Sequence, residues 1–426
     1  MEGTSPDSEP RSLRPMRGRD PHESGRVATT LELLCDLTFV VAFSFAGSGL
    51  AHAIDNGHAG AGLAAFALAM FAVLLAWVNF AWFSSAFDND DWGARLATMV
   101  QMLGVLILAV GLAPMFESVE RGGVVERHAI VLGYVVMRVA LVVQWLRVAR
   151  QDPRHRAIAM TYARSILVAQ VAWCATLLLK LDMRQFALLA LPLGLLEMAI
   201  PVFAERNGRT PWHPHHIAER YGLLAIIALG EVIVATATIL SAETGAHGWS
   251  VGAGMAGLAG VGLALGMWWV YFILPFAQVL HRYGNRKAYG WGFAHFLIFP
   301  AIAAVGAGLH VAASTLGGAH GAEHAASPLI ALGAVAIPLA LYVFAIYALY
   351  AWMVERFDAY HIRLLVLTAA FLLLPFAMLR MGASLPTCLL ALVAVPLVSI
   401  VGYERHGHRH IDESLARMHA SSDRAD

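Results

Sequence analysis

The sequence predicts an all-α polytopic membrane protein of about 12 transmembrane helices, built as two parallel six-helix repeats with both termini in the cytoplasm. Three observations predict this class. The chain of 426 residues is 59% hydrophobic and only 14% charged, whereas soluble domains carry about 25% charged residues. Apolar stretches of bilayer length recur from one end of the chain to the other. Basic residues collect in every second connection between those stretches.

The apolar stretches give the number of spans. A helix needs about 20 apolar residues to cross the hydrocarbon of a bilayer. The stretches long enough to do so, numbered here as spans 1 to 12, are roughly 29–54, 60–84, 93–116, 124–149, 157–180, 184–204, 217–240, 250–276, 288–316, 327–354, 361–380 and 383–403.

Basic residues give the orientation of the spans. With both termini inside, 22 Lys and Arg residues fall in the inner connections and tails, and five fall in the outer loops. Cytoplasmic loops of membrane proteins carry such an excess. An extra or missing span would scramble the alternation, so the bias supports the number of spans as well as their direction.

Similar segments recur in the two halves of the chain. Glu32 at the start of span 1 corresponds to Glu219 at the start of span 7, and Trp77–Phe80 in span 2 corresponds to Trp269–Phe272 in span 8. Because six is an even number, the two copies point the same way across the membrane. A pseudo-twofold axis along the membrane normal then relates them. Proteins of this kind place a pathway or a site at the seam between the halves, although a duplication can also serve packing alone.

The duplication divides the chain into four parts. Residues 29–206 and 207–404 are the two predicted repeats. Residues 1–28, which are polar and rich in Arg, Ser, Pro and Gly, are expected to be a disordered cytoplasmic tail. Residues 405–426 are expected to be a second cytoplasmic tail.

Acidic side chains inside the predicted spans are the first candidates for function. Glu32 and Asp36 lie four residues apart in span 1, so they project from one face of that helix. Glu219 begins span 7, and Glu231 lies deeper in the same span. An ionised carboxylate in hydrocarbon costs at least roughly 2–3 kcal/mol. We therefore predict a transport or proton site built on these four residues.

Basic residues at a similar depth suggest partners for the acids. Arg138, Arg164 and Glu197 lie at about the depth of Asp36, as estimated from a helical rise of ~1.5 Å per residue. We expect a buried cluster in which Asp36 and Glu197 neutralise the two arginines, with His295 at a similar level. Such a cluster can fix helix register, or it can take part in transport. No cationic neighbour of Glu231 is visible in the sequence, which favours a neutral, proton-carrying carboxyl.

Several classes of function have no motif in this chain. Its formal net charge of zero argues against a nucleic-acid partner. Cys35, Cys174 and Cys388 have neither disulfide nor metal-ligand spacing. There is no nucleophile elbow and no phosphate-binding loop. We expect no enzyme activity, no cofactor and no metal site. The expected partners are the lipid bilayer of the cell membrane and an unidentified small solute or ion.

Three motifs and one shorter pattern resemble the bacterial low temperature requirement A (LtrA) family. The family's E-L-F-F-D-L-x-F-V corresponds to Glu32–Val40, with both acids kept and the two aromatics replaced. Its E-R-x-G-L-F-x-I-I-x-L-G-E corresponds to Glu219–Glu231 at nearly every position. Its W-W-x-Y-F-D corresponds to Trp268–Ile273, and its G-L-E to Gly308–His310, both without the acid. The resemblance spans about residues 29 to 404 and implies a multi-pass bacterial membrane protein.

The resemblance does not imply a biochemical activity, because the family is named after a growth phenotype at low temperature. A shorter likeness concerns the spacing of Asp36, Phe39 and Ala42, which is similar to the F-S-D helix of bacterial and lysosomal potassium channels. Those channels also use a duplicated six-helix unit.

Three functions remain open. The first is a secondary transporter, with proton coupling through the buried carboxylates. The second is a potassium or proton channel along the pseudo-axis, for which a homodimer could complete the pore. The third is a non-transporting membrane protein in stress or low-temperature adaptation, in which the buried charges serve folding alone. The parallel repeat and the buried acids favour the transporter.

Overall fold

The computed structural model describes residues 13–317, 326–355 and 359–407, and these residues form helices and connecting turns without a β-strand. The helices are α1 Thr30–Asp55, α2 Ala59–Phe87, α3 Trp92–Glu120, α4 His128–Gln151, α5 Arg156–Thr176, α6 Met183–Ala204, α7 Pro214–His247, α8 Val251–Phe272, α9 Phe276–Tyr283, α10 Asn285–Leu316, α11 Pro328–Val354, α12 Ala359–Arg380, α13 Leu385–Leu392 and α14 Ala394–Gly402.

Twelve helical segments in the described part of the chain are long and apolar enough to cross a bilayer. The predicted fold class and number of spans are therefore confirmed. The sidedness and the relation between the two repeats stay predictions.

Two of the spans are interrupted near a proline. The segment Val251–Tyr283 breaks into α8 and α9 just before Pro275, and the last span breaks into α13 and α14 at Val393, three residues before Pro396. A proline has no backbone N–H, and its ring clashes with the preceding turn of the helix. The carbonyls freed in this way need other partners, which a membrane protein supplies from neighbouring helices.

Large apolar side chains cover the outside of several helices. Val171 on α5, Leu188 on α6 and Leu373 on α12 are 71%, 67% and 68% exposed. Only 17% of the most apolar window of α12 is buried against protein. In a bilayer, lipid tails cover such surfaces, so α12 is the span with the largest share of its surface facing lipid.

The described chain forms two compact units. Among the described residues, the first unit comprises 13–42, 72–115 and 124–217, and the second comprises 43–71, 116–123 and those within 218–407. The start of α1 therefore belongs to the first unit and its end to the second. The units do not follow the boundaries of the predicted sequence repeats.

An ordered N-terminal strap, residues 13–29, lies on the first unit. Met16 is fully buried, and its N–H donates to Gln151 Oε1 at 2.8 Å. The N–H of Gly18 donates to Asp152 Oδ2 at 2.9 Å, and that of Arg19 donates to the Ala86 carbonyl at 2.9 Å. The expected disorder of residues 1–28 is wrong for residues 13–28. Residues 1–12 lie outside the described part. Side chains at the end of α4 satisfy backbone groups of the strap, a pairing that composition does not reveal.

Asp91 anchors the strap to the helix ends. It is 1% exposed, accepts the Arg14 N–H at 3.1 Å and the Ala94 N–H at 2.8 Å, and pairs with Arg147. Burial opposes its ionisation, but these hydrogen bonds together hold the pKa of Asp91 below its usual range. Asp88, three residues earlier, has the opposite environment. Burial and the nearby Glu32 raise the pKa of Asp88.

We predict that Asp91→Asn destabilises the protein by about 1–3 kcal/mol at pH 7, because it removes an ionised acceptor from charge-assisted hydrogen bonds. The matched change Asp88→Asn should be neutral or stabilising. Since the pKa of Asp91 is lowered by folding, its contribution is present above the unfolded pKa of about 4 and is lost as the pH falls through the folded pKa. Unfolding midpoints of the detergent-solubilised protein measure both effects. Equal losses in the two variants would contradict this assignment.

Candidate functional site: buried carboxylates in each unit

In the first unit, Glu32 closes the start of α1. Its Oε2 accepts the Thr29 N–H at 2.8 Å, while Thr29 Oγ1 accepts the Glu32 N–H at 3.2 Å. This reciprocal arrangement is a capping box, which satisfies two N–H groups at the helix start. His216 Nε2 lies 3.2 Å from the same carboxylate oxygen, and both side chains are almost completely buried. Glu32 therefore has both a capping role and a titratable partner.

Asp36 lies one turn further along α1 and is fully buried. The indole N–H of Trp77 on α2 donates to Asp36 Oδ1 at 2.7 Å. The structure places Glu32 and Asp36 on one side of α1, as their spacing predicts.

A small polar cavity adjoins Glu32. Its lining includes Asp88 from the end of α2 and Thr29 from the strap. Arg26 lies near both acids and donates from Nη2 to the Ser84 carbonyl at 3.1 Å. Burial lowers the pKa of Arg26, whereas the two carboxylates act in the opposite direction. Sequence reasoning missed Asp88, Arg26 and His216, since they lie in connections or at helix ends that pack on α1 only in the folded chain.

A second buried cluster joins α4, α5 and α6. Arg138 Nη2 lies 3.1 Å from Glu197 Oε2, and both side chains are 3% exposed. Tyr134 donates to the same oxygen and accepts from Arg138. Gln170 Nε2 and Trp173 Nε1 donate to Glu197 Oε1 at 3.1 Å and 3.2 Å. Four donors surround this carboxylate, so its charge is compensated inside the first unit.

The expected four-charge cluster is only partly formed. Arg138 and Glu197 pair, but Arg164 on α5 is exposed and makes no ion pair among the described residues. Asp36 accepts a hydrogen bond from the indole of Trp77. Depth alone suggested the cluster, and it failed because residues at one depth can project from different faces of their helices. The long side chain of Arg164 can reach the membrane surface from the outside of α5.

In the second unit, Glu219 and Glu231 belong to α7 but do not share a site. They are 12 residues apart, which is about 18 Å along the helix. Glu219 is half-buried near the start of α7, next to the fully buried Arg220. Glu231 lies at the middle of α7 and is 3% exposed.

Glu231 faces His310 of α10. His310 Nε2 lies 3.4 Å from Glu231 Oε1, and the His310 side chain is 21% exposed. The contact does not meet hydrogen-bond geometry, and Oε1 is a buried atom without a hydrogen-bond partner in the described chain. Sequence reasoning missed this pairing. The only available signal was that both are ionisable residues within apolar spans.

Two glycines shape the space around Glu231. A Cβ at Gly306 on α10 would lie 3.0 Å from Glu231 Cγ and 3.2 Å from its backbone carbonyl oxygen, so α7 and α10 touch closely there. A Cβ at Gly47 on α1 would lie 3.7 Å from Glu231 Oε1. The free oxygen therefore lies close to the backbone of α1 at Gly47.

His310 continues toward the end of α10 through polar side chains. Ser314 lies four residues further on the same face of α10. Its hydroxyl lies 3.0 Å and 2.9 Å from the two oxygens of Asp55, at the end of α1. Asp55 is half-buried, whereas Glu231 is almost fully enclosed. Polar groups thus extend from the middle of the second unit toward its surface.

His295 of α10 is held among aromatic rings. Its Nδ1 donates to the Trp291 carbonyl at 2.8 Å, so its Nε2 accepts from the Tyr271 hydroxyl at 3.0 Å. The rings of Tyr221 and Phe299 lie 4.8 Å and 5.0 Å from its centre. Both nitrogens are satisfied in the neutral form. The expectation that His295 is a charge partner is wrong, since it makes no ion pair among the described residues.

The family can now be assigned. The family profile described as bacterial low temperature requirement A protein (LtrA) matches residues 27–396. The chain belongs to the LtrA family. No curated protein and no solved structure matches it.

The matched range includes the spans that carry the buried acids Asp36 and Glu231. In this LtrA chain, the match includes Asp36 in α1, Glu231 in α7 and His310 in α10. The G-L-E pattern of the family is Gly308–His310 here, so an imidazole replaces the acid that the pattern predicts opposite Glu231. Among the described residues, no three His, Cys, Asp or Glu side chains converge as metal ligands do.

We predict that Arg138→Met destabilises the protein by about 3–5 kcal/mol, because it leaves the buried Glu197 without its cation. The double variant Arg138→Met/Glu197→Met should recover part of that loss. Arg164→Met is the matched control on the exposed side of α5, and it should change stability by less than about 0.5 kcal/mol. Chemical unfolding in detergent measures all three. Equal losses of stability for Arg164→Met and Arg138→Met would contradict this assignment and would support the expected four-charge cluster.

Proposed function

We propose that this LtrA protein is a secondary transporter coupled to proton movement, with Glu231 as the proton-carrying group and His310 as its partner. The observation that carries the proposal is the carboxylate oxygen of Glu231. It is buried in the middle of a membrane span, it lies 3.4 Å from the imidazole of His310, and it has no hydrogen-bond partner among the described residues.

The pair can hold charge in more than one way. An isolated ion inside a protein costs several kcal/mol. Glu231 and His310 can avoid that cost in two ways. In an ion pair the proton is on His310, and in a neutral pair the proton is on the carboxyl of Glu231. Gain or loss of a proton changes the net charge of the pair. A cation or a conformational change that favours one charge state will therefore be coupled to proton binding.

The contrast with Glu197 supports this choice of site. Four donors fix the charge of Glu197 within the first unit. A carboxylate whose hydrogen bonds are all made within the fold suits a structural role. Glu231 has an oxygen without a hydrogen-bond partner in the described part of the chain, and an imidazole lies beside it. The pair is thus the better candidate for repeated protonation.

The space at the pair suits coupling rather than binding of a large solute. Gly306 brings α10 against α7 so closely that even a methyl group would crowd Glu231. A solute of several heavy atoms must then bind elsewhere. Ser314 and Asp55 offer a polar route between His310 and the end of α10, which the predicted topology places on the outer side. The cell membrane is the proposed location, with both termini in the cytoplasm.

We predict that Glu231→Gln reduces coupled proton movement at least tenfold, since glutamine cannot release a proton. His310→Gln should keep transport but move its dependence on pH. The measurement uses proteoliposomes with an internal pH dye and a potassium-set membrane potential, tested with amino acids, sugars, organic acids, K⁺ and Na⁺. Glu117→Gln is the matched control, because the Glu117 side chain is 65% exposed at the end of α3.

The outcomes separate the three functions. Proton movement that requires one added solute and is lost in Glu231→Gln supports the transporter. Proton or K⁺ flux that follows the potential alone would contradict it in favour of a channel. The absence of flux with every tested solute, in folded protein, would count for a non-transporting role. Equal flux in wild type and Glu231→Gln would remove Glu231 from the pathway.

A further inference from the structure

An open pocket lies at one end of the second unit. The ends of four helices meet there: α8, α11 and α14 end at this level, and α12 begins. Its walls are Val270, Ile273, Leu274, Ile346, Tyr347, Tyr350, Tyr360, His361, Leu364, Ser399, Gly402 and Tyr403. The pocket is separate from Glu231, and no predicted site residue lines it.

The walls of the pocket become more apolar with depth. Aromatic residues with polar atoms lie nearest the helix ends. Tyr360 and His361 are in the first turn of α12, and Tyr403 follows the end of α14. One turn deeper, Leu364 of α12 and Ile346 of α11 make the wall apolar. Tyrosine prefers the boundary between lipid headgroups and hydrocarbon, because its ring is apolar and its hydroxyl is polar. The pocket therefore spans that boundary.

A free polar group lies in the wall of the pocket. Ser399 is 8% exposed, and its hydroxyl is a buried atom without a hydrogen-bond partner in the described chain. The phenol of Tyr347 is close enough to interact with it, but the two hydroxyls lie outside strict hydrogen-bond geometry. By contrast, the Tyr360 hydroxyl is already satisfied by the Gly402 carbonyl at 2.9 Å. A buried hydroxyl without a partner costs free energy unless a ligand or a water molecule satisfies it.

The surroundings point to an amphipathic ligand from the bilayer. Outward-facing side chains of α12 beside the pocket are apolar and exposed, with Ile362 at 51% and Val366 at 65%. Arg363 and Arg405 are exposed near the same helix ends, next to the exposed Glu404. Lipid tails thus cover the flank of the pocket, and a net positive charge lies at its polar end. A phosphate group fits that end, and an acyl chain fits the apolar depth.

We propose that this pocket binds one phospholipid, with an acyl chain against Leu364 and Ile346, an ester oxygen accepting from Ser399, and the phosphate near the arginines. The enclosed volume of about 70 Å³ is well below the roughly 300–1,000 Å³ that is typical of pockets for a whole small ligand. It holds part of a lipid rather than a whole one. A water-soluble polar solute is disfavoured, because the deep wall offers it few hydrogen bonds. The proposal does not depend on the transport proposal.

The test uses the full chain, purified in detergent and titrated with phosphatidylglycerol while native mass spectrometry counts bound lipid. We expect wild type to retain one phospholipid, and Leu364→Trp, which fills the pocket, to bind at least tenfold more weakly. Val366→Trp is the matched control on the lipid-facing side of α12, and it should bind within twofold of wild type. Both variants are checked for folding by thermal unfolding.

A second measurement needs no variant and decides the matter if Leu364→Trp does not fold. A phospholipid with a photoreactive acyl chain is crosslinked to wild-type protein in vesicles, and the labelled peptides are identified. Labels on residues 346–350, 360–364 and 399–403, in excess over the lipid-facing surfaces of α5 and α6, support the site. Labels spread evenly over lipid-facing helices, equal lipid retention by wild type and Leu364→Trp, or retention of no lipid would each overturn the proposal.

Discussion

The structure of this membrane protein depends on protein groups that replace the water around its buried charges. A carboxylate or guanidinium in hydrocarbon is stable only if protein groups take over the role of its hydration shell. The two units meet this demand in different ways. Glu197, on α6, accepts from four donors on α4 and α5. Glu32 combines a helix cap with the imidazole of His216. Glu231 has one imidazole at 3.4 Å and a free oxygen.

These differences separate scaffolding charges from candidate functional ones. A fully surrounded ion pair such as Arg138–Glu197 fixes the register of α4 against α6, and breaking it destabilises the fold. A partly satisfied carboxylate beside a titratable group costs stability in every state. A fold keeps such a group where the change of state is used, since strained and unsatisfied groups cluster at functional sites. The same reasoning applies to the free hydroxyl of Ser399, at a pocket that faces lipid.

The sequence predicted the fold class, because hydropathy and helix length depend on local composition. It also placed Glu231 inside a span, since a charge in an apolar run is visible in one dimension. It could not predict the partner of Glu231. His310 is 79 residues away, and only the packing of α7 on α10 brings the two together. Depth alone was misleading for Arg164. It lies at about the depth of Arg138, but it is on the exposed side of α5. The N-terminal strap was missed because its order comes from acids and amides at distant helix ends.

The central claim is that Glu231 changes protonation state inside the folded protein. Infrared difference spectroscopy of the membrane-reconstituted protein tests it most directly, because a protonated carboxyl has a C=O stretch distinct from those of amides and carboxylates. We predict a pH-dependent band that disappears in Glu231→Gln and whose midpoint changes in His310→Gln. A spectrum in which no pH-dependent carboxyl band is lost in Glu231→Gln, over the range where the protein stays folded, would contradict the claim.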